Sequence, residues 1–386
     1  MAASQVMAIS FSTAFDVPQE YEAVLQVARK VAARLAPDYV QNDLRGEFRA
    51  DVLATLGEAG LLGLNTPEDA GGEGAGELLT GMVCEELASG DFLSGVLVIQ
   101  SGTACKLLHH FGDPEVAAEW LPRILAGRTT IALALTEPQS GSDLAEITTR
   151  ARMDGSDWVI SGEKSCVSLS GSDGIIVLAR TPDGPGLFLV PAGAGGHTIS
   201  KVDYLGGRAS GRGIMIFDEV RVPARLRIGE PNAGIRLILR SLSSSRLLAC
   251  LVAIGAASAA VDDAVTWAKE RRTFGAPLAT RQGVAFPLVD AWTDIELARL
   301  MCHKGLWKAD RGLDFRREAA MAKSWIPSRM VAACHEALVI FGHVGYSREH
   351  PGQVRLRDVI GTEIGEGSAN VQRILLAREL LGVTPG

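Results

Sequence analysis

Near the C-terminus one carboxylate, Glu366, stands between Gly365 and Gly367 and is followed by Ser368 and the helical run Val371-Gln372-Arg373-Ile374-Leu375-Leu376-Ala377-Arg378. A carboxylate at the mouth of an apolar helix is well placed to remove a proton. Flanking glycines let another molecule's backbone or thioester come close, and an apolar surround makes a carboxylate a stronger base by disfavouring its charged form. Taken alone, the same residue is a loop or helix-cap carboxylate, the commoner role for its type.

A second constellation is Ala134-Leu135-Thr136-Glu137-Pro138-Gln139-Ser140-Gly141-Ser142-Asp143. A strand ends here in a loop with hydroxyls at 136, 140 and 142, a proline that fixes its path and a glycine that permits close approach. Exposed hydroxyls and free N–H groups can line an anionic or heteroaromatic ligand. A Ser-rich turn closed by an Asp cap explains the loop equally well. Other groups carry less. His109-His110 point about 100° apart on a helix and have no third ligand nearby. Gly206–Gly211 lacks the spacing and the strand–turn–helix context of a dinucleotide fingerprint. Cys166 reads as a small space-filling residue before a reactive thiol, and Arg271-Arg272 as a solvated helix end or a phosphate contact.

Three blocks must position these residues. Residues 1–128 read as helical, with apolar positions at helical spacing in 22–31, 52–56 and 82–87 and a break at Pro67 and the glycines 71–74. Residues 129–230 carry short β-rich runs at 131–135, 158–160, 174–179, 187–190 and 214–217. No stretch between them is long and periodic enough for a crossover helix, so an antiparallel sheet or barrel is expected. Residues 231–386 return to helices over roughly 232–270, 280–311, 315–342 and 368–381, a four-helix bundle. The class is α+β, multidomain.

The 386 residues are 47% hydrophobic, enough for several cores, and the net charge of −7 has no long run of one sign. That disfavours a general nucleic-acid binder, although a small basic patch for a phosphorylated ligand remains compatible. Six scattered cysteines without a C-x-x-C pair fit free thiols in a reducing cytoplasm. Residues 1–15 show no export leader. The longest apolar stretch, Leu247 to Val261, is 15 residues and falls short of the roughly 20 a membrane span needs. It reads as a tightly packed core helix of a soluble, cytoplasmic protein.

The loop around Thr136–Asp143 resembles the signature of the acyl-CoA dehydrogenase family, and five further segments resemble its motifs in order. They are Gly60–Gly74; Gly162-Glu163-Lys164-Ser165-Cys166-Val167-Ser168; Val220-Arg221-Val222-Pro223; Glu270-Arg271-Arg272-Thr273-Phe274-Gly275 with Gln282; and Gly342-x-x-Gly345-Tyr346 with Glu349-x-Pro351. The likeness runs from about residue 20 to 382. It implies non-covalent FAD between the β domain and the C-terminal bundle, with an acyl thioester on the flavin. Carried over residue by residue, Leu135, Thr136, Gly141, Ser142, Cys166 and Ser168 would meet the flavin, and Ser368 the cofactor beside it. Arg271, Phe274, Arg281, Gln282, Val339, Phe341, Gly342 and His343 would reach the FAD of a neighbouring subunit in a homodimer or homotetramer. Ser142, Ser243, Arg246 (at a helix entrance) and Gly367 would touch substrate, and Glu366 would be the base. Desaturation removes an α-proton and a β-hydride; FAD accepts the hydride, and the protein supplies orientation and the base. The enolate needs donors at the thioester oxygen, which the resemblance assigns to the base's own N–H and a ribityl hydroxyl. A flavin-linked acceptor would take the electrons.

Several positions depart from the family pattern. Gly365 replaces an aromatic, Cys166 a Trp, and Val339 and His343 a Gln and a Gly. Losing two rigid aromatic walls implies an altered acyl cavity and weaker flavin retention. Glu-Gly-Ser in place of Glu-Gly-Thr resembles a branch from antibiotic pathways whose acyl groups ride on a carrier protein. The alternatives are a flavin oxidase or monooxygenase on this fold, and a catalytically silent binding homologue.

Overall fold

The computed structural model describes residues 18–383. The segment 1–15, expected to carry no leader, lies outside them. Six helices come first: α1 (Tyr21–Leu35), α2 (Tyr39–Arg45), α3 (Ala50–Glu58), α4 (Gly76–Gly90), α5 (Phe92–Phe111) and α6 (Pro114–Leu125). Helix α1 buries Leu25, Ala28, Val31, Ala32 and Leu35, one stripe at helical spacing. Local chemistry sets the starts of α5 and α6. Asp91 accepts from the N–H groups of Leu93 (2.8 Å) and Ser94 (3.3 Å), Asp113 accepts from those of Glu115 (2.9 Å) and Val116 (3.3 Å), and Pro114 takes the first position of α6.

The middle block holds β1 (Ile131–Ala134), β2 (Arg150–Asp154), β3 (Asp157–Val167), β4 (Gly174–Thr181), β5 (Gly184–Pro191), β6 (His197–Lys201), β7 (Gly213–Pro223) and β8 (Arg227–Ile228). They form one sheet in the order β6-β7-β3-β2-β4-β5-β8, with β1 beside β4. The expectation of an antiparallel sheet needs one correction: β1 and β2 both run parallel to β4. The chain leaves β1 by a long loop and the β2–β3 hairpin before it re-enters as β4 in the original direction. Strands β2, β6 and β8 escape the sequence reading. The first two, RARMD and HTISK, are mostly exposed and carry no apolar alternation, and the third is two residues long. Strands β4 and β5 are the opposite, near-continuous apolar runs buried on both faces.

The C-terminal block has five helices: α7 (Gly234–Glu270), α8 (Gln282–Asp310), α9 (Arg316–Ile340), α10 (Pro351–Ile364) and α11 (Ala369–Leu381). The hairpin β9 (Arg272–Thr273) and β10 (Ala276–Pro277) joins the first two. The expected four-helix count therefore lacks α10. Pro351 opens that helix under a cap from the His350 ring, whose Nδ1 accepts from Gly352 N–H at 3.1 Å. Its buried face includes Arg355 and Asp358, so hydrophobic period alone does not show it. Helix α7 is 37 residues, about 55 Å long. By length and composition it could cross a membrane, but 67% of its most apolar window is buried inside the protein. Small residues allow this burial. A Cβ at Gly255 would collide with the Glu85 carbonyl of α4, which fixes how closely the two helices approach.

Candidate active site

Glu366 sits in the turn between α10 and α11. Helix α10 ends with Gly365 N–H donating to Gly361 O at 3.0 Å. The next two residues are left-handed, Glu366 at φ +57° and Gly367 at φ +85°. For a non-glycine residue that conformation costs about 1–2 kcal/mol, so the surroundings must hold it. They do so from α7: Arg246 Nε donates to the Glu366 carbonyl at 3.0 Å, and Ser245 Oγ donates to Glu366 Oε2 at 2.9 Å. A side chain at Gly367 would meet Gln372 Nε2 at 2.8 Å as well as being strained. The expectation of an apolar surround for Glu366 is corrected here. The residue is half-buried, and the groups that hold it are a hydroxyl and a guanidinium.

Arg246 is not at a helix entrance, because α7 begins twelve residues earlier at Gly234. It is 9% exposed, and burial pulls its guanidinium below the usual value while the Glu366 charge opposes the shift. Ser243 donates to Leu239 O in its own helix (3.3 Å). The serine that reaches Glu366 is Ser245, which the sequence reading missed. Only the helical register separates the two.

The second half of the site is a loop nailed to a strand. Lys164 of β3 is fully buried, and its Nζ donates to Leu135 O (2.9 Å) and Glu137 Oε1 (2.8 Å). Glu137 also accepts from Thr148 N–H, Thr149 N–H and Thr148 Oγ1 at 2.6, 3.0 and 2.8 Å. Burial pushes its carboxyl up, but the Lys164 ammonium and these donors outweigh that and hold it far below the usual carboxylate range. Burial also draws Lys164 down to about 8, with Glu137 opposing. The pair was quoted within motifs but given no role. Its signal was Lys164 at the inward period-2 position of Trp158 and Ile160.

With the loop fixed, Ser165 N–H donates to Thr136 O at 2.9 Å, so Thr136 lies beside the Cys166–Ser168 segment. The β3–β7 register slips between Lys164 and Val167, and at this bulge Cys166 turns outward at φ +57°, exposed and in contact with Tyr204. Ser168 is half-buried and accepts from Arg212 Nε at 3.0 Å, while Gly141 and Ser142 are exposed at the loop tip. Hydroxyls and one guanidinium suit the polar edge of a flavin ring. The donor set fits FAD, with Thr136, Ser142, Cys166 and Ser168 as the residues that would hold the ring. Arg212 and Tyr204, missed in the sequence, belong beside them. They also line a cleft of about 240 Å³ with Arg45, Lys201 and Arg208.

Helix α10 joins the two halves. Asp358 accepts from Tyr39 OH and Gly207 N–H, both at 2.7 Å, and Arg357 donates to Asp43 (2.5 and 2.9 Å) and Leu205 O (2.7 Å). The helix carrying the base is thereby tied to the N-terminal helices and to the edge of the β domain. Burial raises the Asp358 carboxyl to about 6, against the hydrogen bonds from Gly207 and Tyr39.

The remaining expected residues lie elsewhere. Arg271 is 25 positions beyond Arg246 on α7, about 37 Å along the helix. Its guanidinium sits 5.9 Å from the Trp267 ring, which also contacts Phe341 (5.4 Å). The 271–282 and 339–343 segments therefore both reach Trp267, far along α7 from Glu366. Phe274 is 97% exposed, Val339 57%, and Arg281, Gln282, Gly342 and His343 are exposed too, while Arg281 closes the hairpin on Thr273 O and Phe274 O. His109 pairs with Asp69 at 3.3 Å, and the described residues contain no group of three or more acidic, His or Cys side chains arranged for a metal.

Comparison with known proteins matches residues 18–128, 132–220 and 232–381 to the N-terminal, middle and C-terminal domains of acyl-CoA dehydrogenase. The chain is 34% identical to the mitochondrial short-chain specific acyl-CoA dehydrogenase of Bos taurus, over 95% of this chain and 91% of that one. It is 35% identical to the cyclohexane-1-carbonyl-CoA dehydrogenase of Geobacter metallireducens, over 96% and 99%. Among solved structures, butyryl-CoA dehydrogenase from Megasphaera elsdenii superposes with a TM-score of 0.90 at 29% identity, covering 95% of this chain and 99% of that chain. The prolyl acyl carrier protein oxidase AnaB does so at 0.89 and 25%, covering 95% and 100%. All three domains in order, over almost the whole chain, settle the family: this chain belongs to the FAD-dependent acyl-CoA dehydrogenases.

Proposed function

We propose that this chain oxidises a short or compact acyl thioester, with Glu366 taking the α-proton. The observation that carries the reading is the clamped left-handed turn, which spends backbone strain to present one carboxylate at a fixed place. Leaving the ladder of α10 also frees the Glu366 N–H to donate to the thioester oxygen, where negative charge develops as the proton leaves. Arg246 fixes the orientation of that peptide from its carbonyl side. Ser245 holds one carboxylate oxygen and leaves the other for the proton. Bound FAD supplies the hydride acceptor. A compact acyl group is supported by the short-chain and cyclohexane-carbonyl specificities named for the two relatives.

Three further points belong to this reading. A homodimer or homotetramer is supported by Phe274 and Val339, large side chains 97% and 57% exposed on the segments that the family likeness assigns to a neighbour's cofactor. A flavin-linked electron-transfer protein is the expected acceptor, with exposed Cys166 leaving an approach to the ring edge. A reducing cytoplasm is supported by six free cysteines, five of them buried.

A second reading, an acyl group on a carrier protein with oxygen as acceptor, is favoured by Gly365 and Cys166, which leave both sides of the site open, and by the likeness to a carrier-protein oxidase. One experiment separates the two. Anaerobic bleaching of the bound flavin is followed with acyl-CoA and acyl-carrier-protein panels, for the native protein and Glu366→Gln. We expect bleaching by short acyl-CoA and a loss of about 10²–10⁴-fold in the variant at unchanged FAD content. Full turnover by Glu366→Gln would sink the assignment of the base.

A further inference from the structure

Beneath the Glu366–Gly367 turn the bundle buries polar atoms that the described residues leave unsatisfied. Lys323 on α9 is 1% exposed, and its Nζ has no hydrogen-bond partner among them. Gln372 on α11 is fully buried, and neither Oε1 nor Nε2 has one. Orphaned buried donors and acceptors are costly, and an apolar side chain of similar size would fill either position without that cost. Both face the base. A Cβ at Gly367 would lie 2.8 Å from Gln372 Nε2 and 3.5 Å from Arg246 Nη2. Lys323 lies within electrostatic reach of Cys250, Glu366, Arg246 and Glu363. The groups converging on the turn thus come from every helix packed around it: Ser245, Arg246 and Cys250 from α7, Lys323 from α9, Glu363 from α10 and Gln372 from α11.

We propose that Lys323 and Gln372 are positioning residues which, bridged by buried water, form a polar floor that fixes the Glu366–Gly367 turn. A buried water needs two to four polar partners, and this cluster offers them: three donors on Lys323, both halves of the Gln372 amide and the carboxylate itself. Burial lowers the Lys323 ammonium from its ordinary value, with Cys250, Glu366 and Glu363 opposing and Arg246 adding to the shift. This inference rests on Glu366 being the base.

The test uses the full FAD-loaded protein and the variants Lys323→Met, Gln372→Leu and Lys323→Gln. Amide hydrogen–deuterium exchange over residues 364–372, thermal unfolding, and anaerobic bleaching by butyryl-CoA are measured together. Exchange at 365–368 is expected to accelerate about tenfold in Lys323→Met and Gln372→Leu, with the rest of the bundle unchanged. Bleaching should slow about tenfold with little change in KM or FAD content. Lys323→Gln, which keeps a polar tip, should restore the local exchange protection. Native exchange and a native bleaching rate in both apolar variants would overturn the proposal. So would a uniform loss of protection and thermal stability across the bundle, the mark of a merely structural role. If Lys323→Met does not fold, Gln372→Leu and Lys323→Gln carry the same readouts. A native protein that no thioester bleaches would overturn the proposed function, whereas the exchange readout judges the polar floor independently.

Discussion

The two halves of the active site are fixed by opposite means. The Thr136–Ser142 loop is held by buried charge: Lys164 and Glu137, 0% and 1% exposed at the side chain, bond each other and the loop's backbone. The base turn is held by strain: two left-handed residues are clamped from outside by Ser245 and Arg246. The difference teaches where tolerance lies. A buried ion pair fails badly when one partner is lost, because the other is left charged and unpaired. A strained turn fails locally, because the clamp can loosen while the bundle stays folded.

Breaking the loop should have the larger effect on the fold. Lys164→Met leaves Glu137 buried without its cation and should destabilise the protein by about 3–5 kcal/mol in urea unfolding, with loss of bound flavin. Adding Glu137→Gln should recover more than half of that, since the neutral amide still accepts from Thr149 N–H. A single variant as stable as the native chain would show that the pair carries no structural weight.

The helix that carries the base should respond to pH. Asp358 is raised to about 6 in the folded protein from an ordinary value of 3.8. Between those values the folded state binds a proton that the unfolded state lacks. Its contribution is therefore present below pH 4, declines as pH rises to 6 and is level above that. The span amounts to about 3 kcal/mol. Asp358→Asn should flatten this component in stability measured from pH 4 to 7, and an unchanged slope would assign the dependence to another group.

The turn itself should show the smallest stability effect and a disproportionate kinetic one. Gly367→Ala adds a Cβ at φ +85° against Gln372 and should cost about 1–2 kcal/mol of stability. Displacement of Glu366 should slow flavin bleaching about 100-fold. Equal losses in rate and stability would mean that the turn is no more delicate than the loop.

Much of this was legible before any coordinates. The periodicity of α1, the apolar runs of β4 and β5, and the Ala/Gly-rich buried stretch of α7 report burial directly, so their elements could be placed. Exposed strands such as β6 and the charged buried face of α10 carry no such pattern and were missed. At the site, Glu366 and the Thr136 loop stood out because glycines and hydroxyls mark close approach. Ser245, Lys164 with Glu137, Tyr39, Asp43 and Arg212 did not, because each acts on a partner far away in the chain.

By itself, then, the amino-acid sequence determined the order of helical, β and helical blocks and the family, and it singled out Glu366 as the carboxylate to propose, all of which depend on local pattern and residue type. Only the tertiary structure decided what surrounds that carboxylate. It replaced an expected apolar pocket with Ser245 and Arg246, and it moved Arg271 and Phe274 away from it. The reason is physical: hydrophobic period records which face a residue takes, whereas a hydrogen bond between residues 120 apart, such as Arg246 to Glu366, exists only once two helices have packed.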